Sequence, residues 1–348
     1  MRGKKQIAAV VLAVIFAVTA GMPHSTVYAE PDSTGNAQAA DAAADDTQKE
    51  EKKEEDMTPE ELEKKAEEDA YKMEIQSNSW KNWPQGPGTY GEAAIVMDAG
   101  TGSILYAKNI DGHEYPASIT KVLTSLIALK YGSLSDQVTF SNDCISFMQP
   151  GDSSVGLKEG NVISLEQALY ATLLASANEA AYAVAENVGK NAGHDYNWFI
   201  QQMNEECKSL GGENSNFVNA NGLHDDNHYT TAYDLYLIFN ECIKHEDFVN
   251  IIQSEAYTAY YTDVDGNSQE ALFTPTNLYA QGEVDVPENV TIVGGKTGTT
   301  DEAGYCLILM EKDSSDNPYI SIVMGASEKP VLYEDMTSLI EAIPSGQQ

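Results

Sequence analysis

Arginine is almost missing from this 348-residue chain. Arg2 is the only one, and 20 basic side chains face 54 acidic ones, for a formal charge of −34. No stretch could neutralise a run of phosphates, so nucleic acid is excluded as a partner on electrostatics. The acidic excess bears on solubility and not on fold. Cysteine is scarce too. Cys144, Cys207, Cys242 and Cys306 show no C-x-x-C spacing, and no histidine pair completes a zinc pattern, so neither metal nor cofactor is expected. Cys306 sits in an apolar run and reads as a buried free thiol. Cys207 and Cys242 fall on two predicted helices, and a disulfide between them stays open. Long apolar runs are lacking except for Ile7 to Ala20, which is shorter than the roughly 20 residues a spanning helix needs. No internal repeat is visible.

That one run has the flanks of an export signal. Arg2, Lys4 and Lys5 precede it, Gly21-Met22-Pro23 breaks it, and Val27-Tyr28-Ala29 offers a small-x-small cleavage pattern. Residues 1–29 read as a secretory signal peptide cut after Ala29, with an uncleaved anchor as the alternative. Residues 30–79 read as an acidic, low-complexity tether. From Glu30 to Ala70 there are 16 acidic and 5 basic side chains and almost no large apolar ones. Such a segment buries too little to offset its chain entropy. Thr58-Pro59-Glu60-Glu61 begins a short solvated helix reaching about Tyr71. One globular domain is left, residues 80–348.

The domain begins and ends in strands. Ala93–Asp98 and Ser103–Ala107 flank Ala99-Gly100-Thr101-Gly102 as a hairpin. Helices are predicted from Ser118, over 165–175, 179–188, 196–210 and 232–244, and a last one over 333–343. Strands are predicted at 256–262, 291–296, 304–311 and 319–326. The class is α+β: the terminal strands should form one antiparallel sheet and the middle helices a lobe.

Ser118-Ile119-Thr120-Lys121 opens an apolar helix after Pro116-Ala117. Residues three apart share a helix face, so a hydroxyl and an amine stand side by side, the geometry of a serine nucleophile with a lysine base. An N-capping serine with a surface lysine is the plain alternative. Two later elements tip the balance. Ser176-Ala177-Asn178 lies 58 residues after Ser118, and Gly295-Lys296-Thr297-Gly298-Thr299 follows, with Lys296 120 residues after Ser176. S-x-x-K, S-x-N and K-T-G in that order form the element set of penicillin-binding proteins and serine β-lactamases. Ser315-Asp316-Asn317 spells S-D-N literally, but it falls among turn residues between two strands and reads as a hairpin loop. His224 and His228 lie four apart in a loop without a third ligand and read as structural. The Tyr257–Tyr261 stretch reads as strand packing.

From about Glu92 to Glu341 the chain resembles the D-alanyl-D-alanine carboxypeptidases, the low-molecular-mass penicillin-binding proteins. The resemblance extends to Thr101–Asn109, Tyr115–Lys121, Gly156–Gly160, Phe217–Leu223 and His228–Leu235. It implies a penicillin-binding protein/serine β-lactamase-like fold, with a five-stranded antiparallel sheet, flanking helices and a helical lobe. It further implies removal of the terminal D-alanine from peptidoglycan stem pentapeptides on the cell-wall side of the membrane, with β-lactams as covalent inhibitors. Ser118 would be the acylated nucleophile and Lys121 its base. Asn178 would hold Lys121 and the substrate amide, and Ser176 would relay a proton to the leaving amine. The amides of Ser118 and Thr299 would form the oxyanion hole, and Gly298 would let the strand come close. Two departures stand out. Many relatives carry a second β-rich domain and an amphipathic anchor, and this sequence ends at Gln348 with room for neither. Many use an arginine at the substrate carboxylate, which here would fall to Lys296, Thr297 and Thr299. A β-lactamase of the class A kind would need an E-x-x-L-N loop, which is absent. A catalytically silent wall-binding protein is the other alternative.

Overall fold

The computed structural model describes residues 53–345. The expected signal peptide and the first part of the expected tether lie outside the described residues. No helix among those described is long and apolar enough to cross a membrane.

The large sheet has the five antiparallel strands that the family resemblance implies. Strands β1 (Ala93–Asp98), β2 (Ser103–Lys108), β7 (Val290–Thr300), β8 (Gly304–Asp313) and β9 (Pro318–Ala326) pair antiparallel in the order β2-β1-β9-β8-β7. Both faces are covered, which explains the unbroken apolar run of β8. Ile95, Met97, Ile308, Met310, Ile320 and Ile322 turn toward the helical lobe. Ala94, Val96, Leu307, Leu309 and Val323 turn toward the last helix, α10 (Lys329–Glu341). This is the period-two alternation of a strand, read on two buried faces. Ser315-Asp316-Asn317 lies in the β8–β9 turn. Asp313 Oδ1 accepts from the amides of Ser315 and Asn317 at 2.8 and 2.9 Å.

The lobe is built around α2 (Thr120–Tyr131), whose residues Thr120 to Ala128 are all buried. Around it stand α4 (Leu165–Leu173), α5 (Asn178–Asn191), α6 (Tyr196–Ser209) and α7 (Ala232–Cys242). The starts of α4, α6 and α7 carry ordinary caps. Ser164 and Gln167 close a reciprocal capping box, and Asp195 and Thr231 each accept an amide of the first turn.

One expectation is corrected. The strand at Tyr257–Thr262 (β5) does not join the large sheet. It pairs with β6 (Ser268–Phe273) in a second sheet of order β3-β4-β5-β6, where β3 is Gln137–Thr139 and β4 is Val162–Ser164. The turn between β5 and β6 is fixed by Asp263 Oδ1, which accepts from the amides of Asp265 and Asn267 at 3.0 and 2.8 Å. Within β5, Tyr257 stacks on Tyr170 at 3.7 Å, while Tyr260 is 68% exposed.

All four cysteines are buried free thiols, so the Cys207–Cys242 pairing is not formed. The two face different carbonyls: Cys207 Sγ lies 3.9 Å from Gly212 O and Cys242 Sγ 3.6 Å from Val122 O.

Toward the N-terminus, the predicted helix forms as α1 (Pro59–Lys72), capped by Thr58 and Glu61. Its last turn is not solvated all round. Ala70 is buried, Tyr71 meets Tyr90 at 4.6 Å, and Glu67 bonds Ser327. Residues 76–79, assigned to the tether by composition, form a 3-10 turn on β2. There Ser77 Oγ accepts from Ala107 N at 3.1 Å and Gln76 Oε1 from Ile110 N at 3.1 Å.

Candidate active site

Ser118 lies in a single 3-10 turn, Ala117–Ile119, that runs into α2. Ala117 holds a left-handed backbone, φ 44°, as does Ser176, φ 59°. For residues with a Cβ this region is sparsely populated and costs about 1–3 kcal/mol each, so surrounding structure must impose it. Two glycines show how. A Cβ on Gly222 would stand 1.8 Å from Ala117 O, and one on Gly298 2.8 Å from Pro116 O and 3.1 Å from Ser118 N. The loop after Ala220 and strand β7 therefore press their bare backbones onto the Ser118 turn.

Beneath it, Lys121 is fully buried. Its Nζ has three neighbours: Ser118 Oγ at 2.8 Å, Asn178 Oδ1 at 2.7 Å and Asn221 O at 2.6 Å. Two of these are carbonyl oxygens, which only accept. A neutral amine has two N–H donors and one lone pair. With both donors spent on Asn178 and Asn221, the lone pair is left for the Ser118 hydroxyl. The neutral form is favoured as well. Burial first, and then the nearby charge of Lys296, hold Lys121 well below the ordinary lysine range. Such an amine can take a serine proton at neutral pH.

Lys296, from the middle of β7, is 1% exposed and donates to Ser176 Oγ at 2.9 Å and to Thr297 O at 2.8 Å. Burial pushes it down to about 7. Asn178, at the start of α5, is buried, and its amide donates to Ser153 O at 2.9 Å. Ser118, Ser153, Ser176, Thr297, Gly298 and Thr299 line one cavity of about 220 Å³.

All the residues singled out in the sequence thus converge, though not with equal access. Lys121 and Lys296 sit behind the cavity wall. Lys329, at the first position of α10, lines the cavity, and sequence reasoning passed it over. Asn221 was missed as well, because it contributes a main-chain carbonyl. His228 stands a layer further back. Its Nδ1 accepts from Val218 N at 3.1 Å, so its Nε2 carries the proton toward Thr120 Oγ1 at 2.8 Å. It ties the 217–223 loop to the helix bearing Lys121.

An antiparallel five-stranded sheet with a buried serine-bearing helix against its edge strand is the fold of the penicillin-binding proteins and serine β-lactamases. The solved DD-transpeptidase of Streptomyces K15 superposes with a TM-score of 0.68 at 26% identity, over 74% of this chain and 98% of that one. Two curated relatives agree. The D-alanyl-D-alanine carboxypeptidase DacF of Bacillus subtilis is 29% identical over 72% of this chain, and DacA of Haemophilus influenzae is 30% identical over 69%. The family model described as D-alanyl-D-alanine carboxypeptidase matches residues 81–328, and the chain belongs to that family. It spans 61% and 58% of the length of those two curated relatives.

Proposed function

We propose that the protein is a serine-type D-Ala-D-Ala carboxypeptidase acting on peptidoglycan stem pentapeptides. The observation that carries this is the wiring of Lys121, whose Nζ lies 2.8 Å from Ser118 Oγ and within 2.7 Å of two carbonyl oxygens, so that a neutral amine bonded to both carbonyls offers its lone pair to the hydroxyl. Ser118 attacks the carbonyl between the two D-alanines as Lys121 takes its proton. The Ser118 and Thr299 amides stabilise the oxyanion, each contributing about 3 kcal/mol to barrier lowering. The proton held on Lys121 returns through Ser176, itself bonded to Lys296, to the leaving D-alanine amine; water then attacks the ester as the neutral Lys121 takes its proton and passes it to Ser118 Oγ, which leaves the shortened peptide.

The terminal carboxylate needs a positive pole in a strongly acidic protein. Thr297 and Thr299 supply hydroxyls, and Lys296 supplies charge from behind. Lys329 lines the cavity itself at the N-terminus of α10, where the helix dipole adds to its charge. It can meet the substrate carboxylate, a task that falls to an arginine in many relatives. β-Lactams enter the same cavity and acylate Ser118. With the export signal at residues 1–29, the site would face the cell wall.

The test is incubation with labelled penicillin and with a pentapeptide ending in D-Ala-D-Ala. A Ser118 adduct and free D-alanine are expected, and both should vanish in Ser118→Ala. An adduct on another residue overturns the assignment. Rapid penicillin turnover without D-alanine release would make the protein a β-lactamase, and neither adduct nor release a silent wall-binding protein.

A further inference from the structure

Glu179 follows Asn178 in the first turn of α5 and is 1% exposed. A carboxylate at that depth is costly unless it is used. Its Oε1 accepts three bonds from one loop: Ser154 Oγ at 2.7 Å, Val155 N at 2.8 Å and Gly156 N at 3.2 Å. Its Oε2 has no partner and no contact with solvent. The same loop is held from the neighbouring position, where Asn178 N donates to Ser153 O, and Ser153 lines the cavity. Two successive residues of α5 therefore do linked work. Asn178 holds Lys121, and Glu179 holds the wall across from it.

The hydrogen bonds alone do not call for a charge, since a glutamine oxygen could accept all three. The charge has a different partner. The charged and titratable groups facing Lys121 are Lys296 from β7, Glu179 from α5, Asp152 from the loop before Ser153, and His228 from the loop after Asn221. Lys296 opposes the ammonium form, whereas Glu179 and then Asp152 favour it. Glu179 is the buried one of the two, so water and salt screen it less.

We propose that Glu179 is a positioning residue of the site: one oxygen clamps the 153–156 wall against Asn178, and its negative charge is the counterweight to Lys296 at Lys121. This rests on the reading of Lys121 as the base. Removing the charge leaves the neutral amine easier to reach. Keeping the oxygen keeps the wall.

The test compares Glu179→Gln with Glu179→Ala in the full chain, using penicillin acylation rate against pH, KM for the pentapeptide, and hydrogen exchange at the Val155 and Gly156 amides. In Glu179→Gln the two amides should stay protected and KM should hold. The acidic limb should move to lower pH, giving roughly threefold faster acylation on that limb. In Glu179→Ala the limb should move the same way, while KM rises and the two amides lose protection. An unmoved or upward-shifted limb in Glu179→Gln overturns the charge role. Full amide protection in Glu179→Ala overturns the clamp. Should the wild type form no Ser118 adduct at all, the functional reading falls and the charge role with it, and exchange still decides the clamp.

Discussion

Lys108 and Lys121 are both fully buried, one ending the strand at one edge of the large sheet and the other standing near the strand at the opposite edge. Burial pulls both below the ordinary lysine range, Lys108 to about 8. Their surroundings then diverge. Lys108 spends its donors on three oxygens, Thr89 O and Gly91 O at 2.7 Å each and Thr89 Oγ1 at 3.3 Å. Asp335, Glu92 and Glu114 all favour its charge. Asp335 itself accepts from the amides of Tyr90 and Gly91, so the pair stitches the segment before β1 to α10. Lys121 has two carbonyl acceptors and a hydroxyl, with a second lysine beside it. Each lysine therefore has two carbonyl oxygens and one hydroxyl, and what separates a structural lysine from the proposed base is the charge beside it, acids alone at Lys108 and a second lysine at Lys121. Depth does not distinguish them.

The contrast is broken most directly by deleting each amine. Lys121→Ala should lower acylation by about 10²–10⁴-fold, the usual contribution of general base catalysis, while the fold persists. Lys108→Met should do the reverse. It leaves Thr89 O and Gly91 O without their buried donor and should cost about 3 kcal/mol of stability, with the rate per folded molecule unchanged. Denaturant melts and acylation rates on both variants check this. A loss of stability without loss of rate in Lys121→Ala would invert the comparison.

Two other buried groups sharpen it through pH. Burial pushes the Glu311 carboxyl up to about 8, and neither oxygen has a partner. The folded state keeps that proton where the unfolded chain has released it. Stability is therefore full below the unfolded value near 4.5 and declines as pH rises toward 8, by on the order of 4 kcal/mol. Burial pushes His228 the other way, down to about 4. Its contribution is present above 6.5 and is lost as pH falls through 4, on the order of 3 kcal/mol. Glu311→Gln should raise the melting temperature at pH 8 and change little at pH 5. His228→Gln should flatten the acid side. A melting temperature in Glu311→Gln that tracks the wild type at every pH would refute the first of these.

Much of the site was legible because its chemistry is carried by side chains at short spacing. Ser118 and Lys121 are three apart on one helix start, and the S-x-N and K-T-G elements are as local. What was not legible depends on backbone or on distant packing. Asn221 acts through its carbonyl, which any residue has. Lys329 is an exposed helix-start lysine, and nothing local says that α10 begins at the cavity. Strand β6, Ser-Gln-Glu-Ala-Leu-Phe, has no β-branched residue and exists because the Asp263 turn folds it back on Tyr257–Thr262. The strand-rich ends, by contrast, announced themselves through apolar runs that the two-faced burial of the large sheet requires.

A smaller effect is expected at Lys329. Lys329→Ala should lower the rate ratio for a peptide ending in free D-alanine over its C-terminal amide by about tenfold, or about 1.4 kcal/mol, with penicillin labelling of Ser118 retained. Lys296→Ala should lower the ratio too but also slow acylation, because it removes the charge that adds to burial in favouring neutral Lys121. An unchanged ratio in Lys329→Ala would place the carboxylate pole on the Lys296 side alone.

The smallest effect on catalysis concerns α1 and the turn that follows it, where composition and structure part company. Acidic side chains and sparse apolar ones assign residues 30–79 to a solvated tether, and over most of α1 the outward face is indeed exposed, Leu62 at 36% included. Contacts begin near its end, with Glu67 on Ser327, buried Ala70, and Tyr71 on Tyr90. Removing everything ahead of Glu74 should therefore cost only about 1 kcal/mol, the scale of one aromatic pair with a little burial. Extending the deletion through Trp80 should cost about 2 kcal/mol more. It strips the acceptors Ser77 Oγ and Gln76 Oε1 from the amides of Ala107 and Ile110, and a buried donor left unpaired is expensive. Neither truncation touches the cavity lining, so acylation per folded molecule should stay the same. The two denaturation midpoints decide it: if both truncations match the full chain, the turn on β2 is as loosely attached as its composition suggests, and the packing of residues 70–79 adds nothing to stability.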